Sequence, residues 1–385
     1  MSVENILAGL SLAIWLFLLL FWGNFWRGDR RIETEPEVLA RCPSVCAIVP
    51  ARDEAESIEK SLTSLLNQDY LGKFSIVLVD DNSSDRTTEI ARYTAERLNK
   101  SQRLTVVSGK PLALGWKGKL WAMQQGIAEA RSRTTPEYFL LTDADIQHPT
   151  DNIRRLVAKA ESQKLDLVSL MVLLRCQNFW EKLLIPAFVF FFQKLYPFAW
   201  VNSPDRSIAA AAGGCILIGN QALTEIGGIA TIKDALIDDC SLAQAVKSKG
   251  KSIWLGLSET TISLRGYDNL SVIWDTIART AYTQLNYSPL LLVGTVIGMI
   301  VVYLFSPVCL IVGIFTGNWL LIALSILTWL LMTWAYLPTI KLYKLSITWA
   351  FCLPAIALLY TLMTIDSAIK YYRGKGGAWK GRTYN

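Results

Sequence analysis

Residues 44–100 read SVCAIVPARDEAESIEKSLTSLLNQDYLGKFSIVLVDDNSSDRTTEIARYTAERLNK. Two short apolar runs, SVCAIVP at 44–50 and FSIVLVD at 74–80, are bounded by polar turns and read as buried strands. Each is followed by an amphipathic stretch, SIEKSLTSLLNQ at 57–68 and SDRTTEIARYTAERLNK at 84–100, with helical spacing of its apolar residues. RLTVVS at 103–108 and EYFLLTD at 137–143 extend the alternation. Strands and helices in this order predict an α/β domain with a mostly parallel, Rossmann-like sheet and helices on both faces. Ligands bind at the carboxyl ends of the strands in such sheets, so the polar residues after each strand are the candidates for function.

Outward from this core the composition changes. Of 385 residues, 52% are hydrophobic and 18% charged, against roughly 25% charged in an average soluble domain. The excess sits at the ends. Ile6–Trp22 is an uninterrupted apolar or small run of 17 residues, and Leu290–Ile314, Trp319–Leu337 and Ile347–Ile365 are of membrane-spanning length. The expectation is an integral, multi-pass membrane protein. Residues 1–26 form the N-terminal anchor, 27–288 the folded domain, 289–366 about three spans, and 367–385 a basic tail. Glu4 precedes the first run and Arg27, Arg30 and Arg31 follow it, which places the folded domain in the cytoplasm. Lys370, Arg373, Lys375, Lys380 and Arg382 favour a cytoplasmic tail as well. Three spans would put the tail outside, so Ile347–Ile365, interrupted by Pro354, is expected to be re-entrant. Phe179–Val201 is apolar but broken by Lys182, Pro186, Lys194 and Pro197; it reads as an interfacial helix or as a buried core helix.

Seven cysteines at unrelated spacings and one histidine argue against zinc and against a disulfide framework. The net charge of +6 is concentrated beside the apolar runs, and no basic stripe with interleaved aromatics marks a nucleic-acid surface.

Four places carry chemistry. Asp80-Asp81 ends the second strand, where carboxylates can accept from base or ribose hydroxyls; Ser84 and Asp85 are expected to cap the following helix. Asp143 and Asp145 end EYFLLTD and, on extended backbone, point the same way, so both can reach one hard cation such as Mg²⁺ or Mn²⁺. His148 stands nearby and is expected to open a helix at Pro149 rather than to bind metal. Gly118-Lys119 precedes a helix from about Leu120 and suits a phosphate, or is a solvated turn. Asp238-Asp239 begins DDCSLAQAVKSKG, where a carboxylate can take a proton or merely cap the helix. Upstream, the small residues of Ala209–Gly214 let a ligand approach the backbone.

Taken in order, VPARDEAESI, VDDNSSDRT, Gly118-Lys119, DADIQH, Ala209–Gly214 and IDDCSLAQAVKSKG resemble the inverting family 2 glycosyltransferases of the GT-A fold, over about Val45–Arg279. Within that family the terminal apolar blocks, Phe179–Val201 and the tail GGAWKGRTYN are most similar to membrane-anchored members of hopanoid and carotenoid biosynthesis, of the myxol-type 2'-O-glycosyltransferase kind. The resemblance implies donor contacts from Pro50, Ala51, Arg52, Glu54, Asp80 or Asp81, Lys119, Asp143 and Arg279. It also implies a divalent metal, Mg²⁺ or Mn²⁺, on Asp143 and Asp145, and a catalytic base at Asp239 with Asp238 beside it in place of the usual glutamate. The arginine-tryptophan motif of processive synthases is reduced here to Arg279, although Trp274 and Tyr282 could stack on a sugar; transfer of one sugar is therefore expected. The implied partners are a UDP- or GDP-linked sugar and an isoprenoid lipid hydroxyl. A polyprenyl-phosphate sugar transferase and a non-catalytic nucleotide-sugar-binding scaffold are the alternatives.

Overall fold

The apolar runs form strands because their alternate side chains are covered on both faces. In the computed structural model, which describes residues 2–32, 39 and 41–374, they assemble into one eight-stranded sheet. The strands are β1 (Val45–Ala51), β2 (Phe74–Asp80), β3 (Leu104–Ser108), β4 (Tyr138–Thr142), β5 (Ile146–Gln147), β6 (Leu167–Leu173), β7 (Cys215–Gly219) and β8 (Ile253–Ser263), in the spatial order β3-β2-β1-β4-β7-β6-β8-β5. The β1–β2, β2–β3, β1–β4 and β6–β8 pairs are parallel, whereas β7 runs antiparallel to both β4 and β6, and β5 antiparallel to β8. The sheet is thus mostly parallel, as the alternation predicts.

Helix Ile58–Leu66 covers one face. Ile58, Leu62, Leu65 and Leu66 recur at i, i+4, i+7 and i+8 and join Val45, Ala47, Val49, Ile76, Leu78 and Leu140 in a single buried cluster. Helix Gly118–Arg133 comes very close to the sheet, and a Cβ at Gly126 would stand only 2.8 Å from Cγ2 of Ile48. Glycine is needed there for the close approach.

Parallel pairing brings the carboxyl ends of β1, β2 and β4 to one edge, with Ala51 opposite Asp80 and Ile48 opposite Leu141. The reversed β7 brings its amino end to that same edge, since Thr142 pairs with Cys215. Gly213-Gly214 therefore lies next to the turn that carries Asp143 and Asp145.

Two boundaries differ from the sequence reading. The helix expected to open at Ser84 or Asp85 begins at Thr87, because the Asp85 carboxylate accepts from the Thr87 amide and hydroxyl and from the Ala55 amide, spending its capacity in the loop. The helix expected at Pro149 begins at Asn152, after a turn in which the Asn152 amide donates to the Pro149 carbonyl.

The chain divides into two units: Arg30–Arg175 with Trp200–Gly266, which holds the sheet, and Met1–Asp29 with Cys176–Ala199 and Tyr267–Asn385. In the second unit, four helices among the described residues are long and apolar enough to cross a membrane: Val3–Phe21, Pro289–Thr316, Trp319–Leu342 and Ile347–Tyr372. Pro289–Thr316 contains a π-helical segment at Ile300–Leu304, and the Trp15 indole N–H donates to the carbonyl of Val302 at 2.7 Å. Pro354 falls at the start of helix Leu353–Tyr372, where a missing N–H costs nothing. The apolar stretch from Phe179 is a helix as far as Leu195, started by a capping box between Asn178 and Glu181, with a further turn at Phe198–Val201. The sequence GGAWKGRTYN lies outside the described residues.

Candidate active site

Two carboxylates meet at one ammonium, and the charge of a third acts on it. Lys119, in the first turn of helix Gly118–Arg133, places Nζ 2.8 Å from Oδ1 of Asp143 and 3.1 Å from Oδ2 of Asp238. Burial works against its charge, but Asp143, Asp238 and Asp239 outweigh it and hold Lys119 above the usual lysine range. The sequence left open a solvated turn; the geometry makes Lys119 the cross-brace of the site. Pro50, Gly213 and these four residues line one cavity.

Asp238 and Asp239 occupy the first turn of helix Asp238–Ser248. Asp239 does not simply cap it. Its Oδ1 accepts from the Cys240 amide at 2.7 Å, and its Oδ2 accepts from the Gly213 amide of another chain segment at 2.8 Å. The carboxyl is pushed up to about 6, first by burial and then by Asp238, with Lys119 and the two amides opposing. A group with that pKa is ionised near neutrality and can still take a proton. Gly213 was noted only as part of a small-residue stretch; the paired glycines just ahead of an apolar run were the available signal for its role.

Asp143 and Asp145 sit on a turn, not on the extended backbone expected: β4 stops at Thr142, and the Ile146 amide donates to the Asp143 carbonyl at 3.3 Å. They still act on each other. The Asp145 carboxyl is pushed up to about 7, first by burial, then by the charges of Asp143 and Glu54, with Arg265 opposing. Among the described residues no three His, Cys, Asp or Glu side chains form a cage for a metal. Two mutually repelling carboxylates fit a hard divalent ion that draws its remaining ligands from a diphosphate and water. Glu54 and Arg265 belong to this environment, and Arg265 had no sequence signal.

Arg52 donates to the Asp81 carbonyl at 2.6 Å and stands 3.8 Å from its carboxylate. Asp81 is 3% exposed, and its amide donates to Ala51. The Asp80 carboxylate accepts from the amide and hydroxyl of Ser83. Arg52, Ala51, Asp80 and Asp81 thus stand together on the crest of β1 and β2. Arg279 is placed in the other unit, at the end of helix Leu270–Ala278. His148 is buried and turned away from metal ligation: its ring bonds Thr142 and Asn152.

Residues 11–385 match the model of Glycosyl transferase family 21. The chain belongs to this family. The motif order had suggested family 2; the glycosyltransferase class and the GT-A-like fold are common to both. Across 96% of this family 21 glycosyltransferase and 99% of the other chain, the fold resembles that of the mannosyltransferase PcManGT from Pyrobaculum calidifontis, solved with GDP-Man and Mn²⁺, with TM-score 0.53 and 20% identity. The beta-monoglucosyldiacylglycerol synthase of Trichormus variabilis is 29% identical over 151 residues, 38% of this chain and 30% of that protein. The undecaprenyl-phosphate 4-deoxy-4-formamido-L-arabinose transferase of Edwardsiella ictaluri is 30% identical over 126 residues, 32% of this chain and 35% of that protein. The match spans about a third of the length of these curated relatives.

Proposed function

We propose that this glycosyltransferase moves one sugar, with inversion, from a UDP- or GDP-linked donor to a hydroxyl of a membrane lipid. The observation that carries the reading is Asp239, held by two backbone amides beside a lysine that also binds Asp143 and Asp238. Asp239 is the base: it takes the proton of the attacking hydroxyl as the bond to the anomeric carbon forms and the bond to the diphosphate breaks. Lys119 faces the departing diphosphate and offsets its growing charge. Arg52, Glu54, Asp80, Asp81, Pro50 and Ala51 form the donor side, and Asp238 holds Lys119 in place. Mg²⁺ or Mn²⁺ on Asp143 and Asp145 would supply further charge compensation at the diphosphate.

Four helices of spanning length support a membrane protein, Arg27, Arg30 and Arg31 directly after the first apolar run support a catalytic domain in the cytoplasm, and the names of the relatives support a lipid acceptor. Within lipids, an isoprenoid hydroxyl, as in a 2'-hydroxy carotenoid or a hopanoid, is the reading that the motif order and the apolar termini support. A polyprenyl-phosphate acceptor is the second reading, favoured by the undecaprenyl-phosphate relative. Membranes containing the protein are incubated with labelled UDP- and GDP-sugars and extracted. Label in an acid-stable lipid supports the first reading; acid-labile label supports the second. Label confined to a water-soluble polymer overturns both.

A further inference from the structure

The only histidine of the chain stands three residues after Asp145 and bonds Thr142, which lines the cavity of the site. His148 is 4% exposed, and its ring joins a directed chain of hydrogen bonds. At one end Asn152 Nδ2 lies 2.9 Å from Nδ1; an amide nitrogen can only donate, so Nδ1 carries no proton. At the other end Nε2 lies 3.0 Å from Oγ1 of Thr142, and that hydroxyl donates its one proton to the Gly214 carbonyl at 2.7 Å. Thr142 must therefore accept from Nε2–H. Both ends demand the same neutral tautomer. Asn152 is fixed in turn by the Thr261 hydroxyl, which donates to its Oδ1 at 3.2 Å, and the His148 amide donates to Ser64 at 3.0 Å.

The chain of bonds takes over where the sheet stops. Thr142–Cys215 is the last pair of the β4–β7 ladder. Past it, one strand continues into Asp143, which binds Lys119, and the other leads back to Gly213, whose amide holds Asp239. The Thr142 hydroxyl ties these two ends together, and His148 fixes the direction of that hydroxyl.

We propose that His148 is a positioning residue, which through Thr142 sets the separation between the Asp143 turn and the Gly213–Asp239 pair. This rests on Asp239 being the base. Thr142→Val keeps the shape and removes the hydroxyl; Thr142→Ser keeps the hydroxyl; His148→Gln keeps a donor toward Thr142 but loses the fixed ring. The full-length protein is assayed in membranes with the labelled sugar donor that its lipid product incorporates. Thr142→Val is expected to lower kcat roughly tenfold to a hundredfold, the scale of a misplacement of about 1 Å, with donor KM changed less than about threefold. Thr142→Ser recovers most of the loss. His148→Gln also lowers kcat, and the double variant His148→Gln/Thr142→Val is no slower than the worse single variant, since both break one chain. A melting temperature that falls while kcat per folded molecule stays normal, or losses that multiply in the double variant, overturns the proposal. Asp239→Asn is run alongside: if it is inactive and Thr142→Val is normal, the positioning role alone fails, whereas near-normal Asp239→Asn removes the base reading itself.

Discussion

The amide of Gly213 and the carboxylate of Asp239 meet at 2.8 Å although 26 residues separate them in sequence. One stands two residues ahead of the reversed strand β7, the other in the first turn of a helix. The pair explains why two glycines stand at 213–214. A Cβ on Gly213 would lie 3.2 Å from Nζ of Lys119 and 3.4 Å from Oδ2 of Asp239, and one on Gly214 would lie 3.1 Å from both methyls of Val172. Gly213→Ala is therefore expected to displace the lysine ammonium from its place beside Asp239 by a few tenths of an ångström. Its kcat should fall about tenfold or more, with a melting temperature near that of the parent. Unchanged kcat would show that the spacing is slack.

With Asp239 as the proposed base, its protonation is expected to set an acid limit on turnover. The base must be ionised, and its carboxyl is held at about 6 by burial and by Asp238. kcat should fall as pH drops through about 6 and level off above it. Asp239→Asn should abolish that limb and lower kcat by about 10²–10⁴ at pH 7.5.

The same shift carries a stability sign. The folded pKa lies above the ordinary carboxylate value of 3.8, so between about 4 and 6 the native state binds more protons than the unfolded one. The contribution of Asp239 to stability therefore rises as pH falls through that window, and the ionised group is a burden above it. Asp239→Asn should melt higher than the parent at pH 7.5 and lose the advantage near pH 4. A lower melting temperature at pH 7.5 would mean that the amide bonds of the carboxylate outweigh its burial.

The strands β1 to β4 were legible because each is a short apolar run closed by a polar turn. β7 and β8 were not. Cys215–Gly219 follows four alanines and two glycines, which signal no element by themselves, and Ile253–Ser263 contains Ser258, Glu259, Thr260 and Thr261, which break the apolar run. Their place is decided by pairing with β4 and β6, a long-range matter that local pattern does not carry. The site divides in the same way. Asp143, Asp145, Lys119 and Asp239 could be found because each stands at the edge of a recognisable element. That Gly213 holds Asp239 depends on the reversal of β7, and that Lys119 binds both Asp143 and Asp238 depends on three segments distant in sequence meeting in the fold. His148, expected to open a helix rather than to bind metal, does neither: the helix starts at Asn152, and the buried ring bonds Thr142 and Asn152.

Metal removal tests the Asp143–Asp145 pair. EDTA is expected to abolish transfer, with recovery on Mg²⁺ or Mn²⁺. Asp145→Asn removes one oxygen anion and relieves its repulsion with Asp143 and Glu54. It should raise the metal concentration for half-maximal activity roughly tenfold or more, since even partners behind a ligand shift affinity on that scale. Full activity in EDTA would leave Lys119 to balance the diphosphate by itself.

Lys119 supplies the sharpest contrast between structural and chemical roles. Its ammonium satisfies Asp143 and Asp238 in the protein, and the proposed reaction asks it to face a diphosphate as well. If its role is only to brace two carboxylates, Lys119→Met should lower the melting temperature and leave donor affinity per folded molecule intact. If it also meets the leaving group, kcat/KM for the nucleotide sugar should fall by about 10²–10³, the scale for losing one fixed electrostatic contact to developing charge. Binding of the free nucleoside diphosphate should weaken as well, and Asp238→Asn should weaken it much less, because Asp143 still holds the lysine. Measuring nucleoside diphosphate affinity in both variants separates the two roles: equal losses would make Asp238 as much a part of the donor site as Lys119.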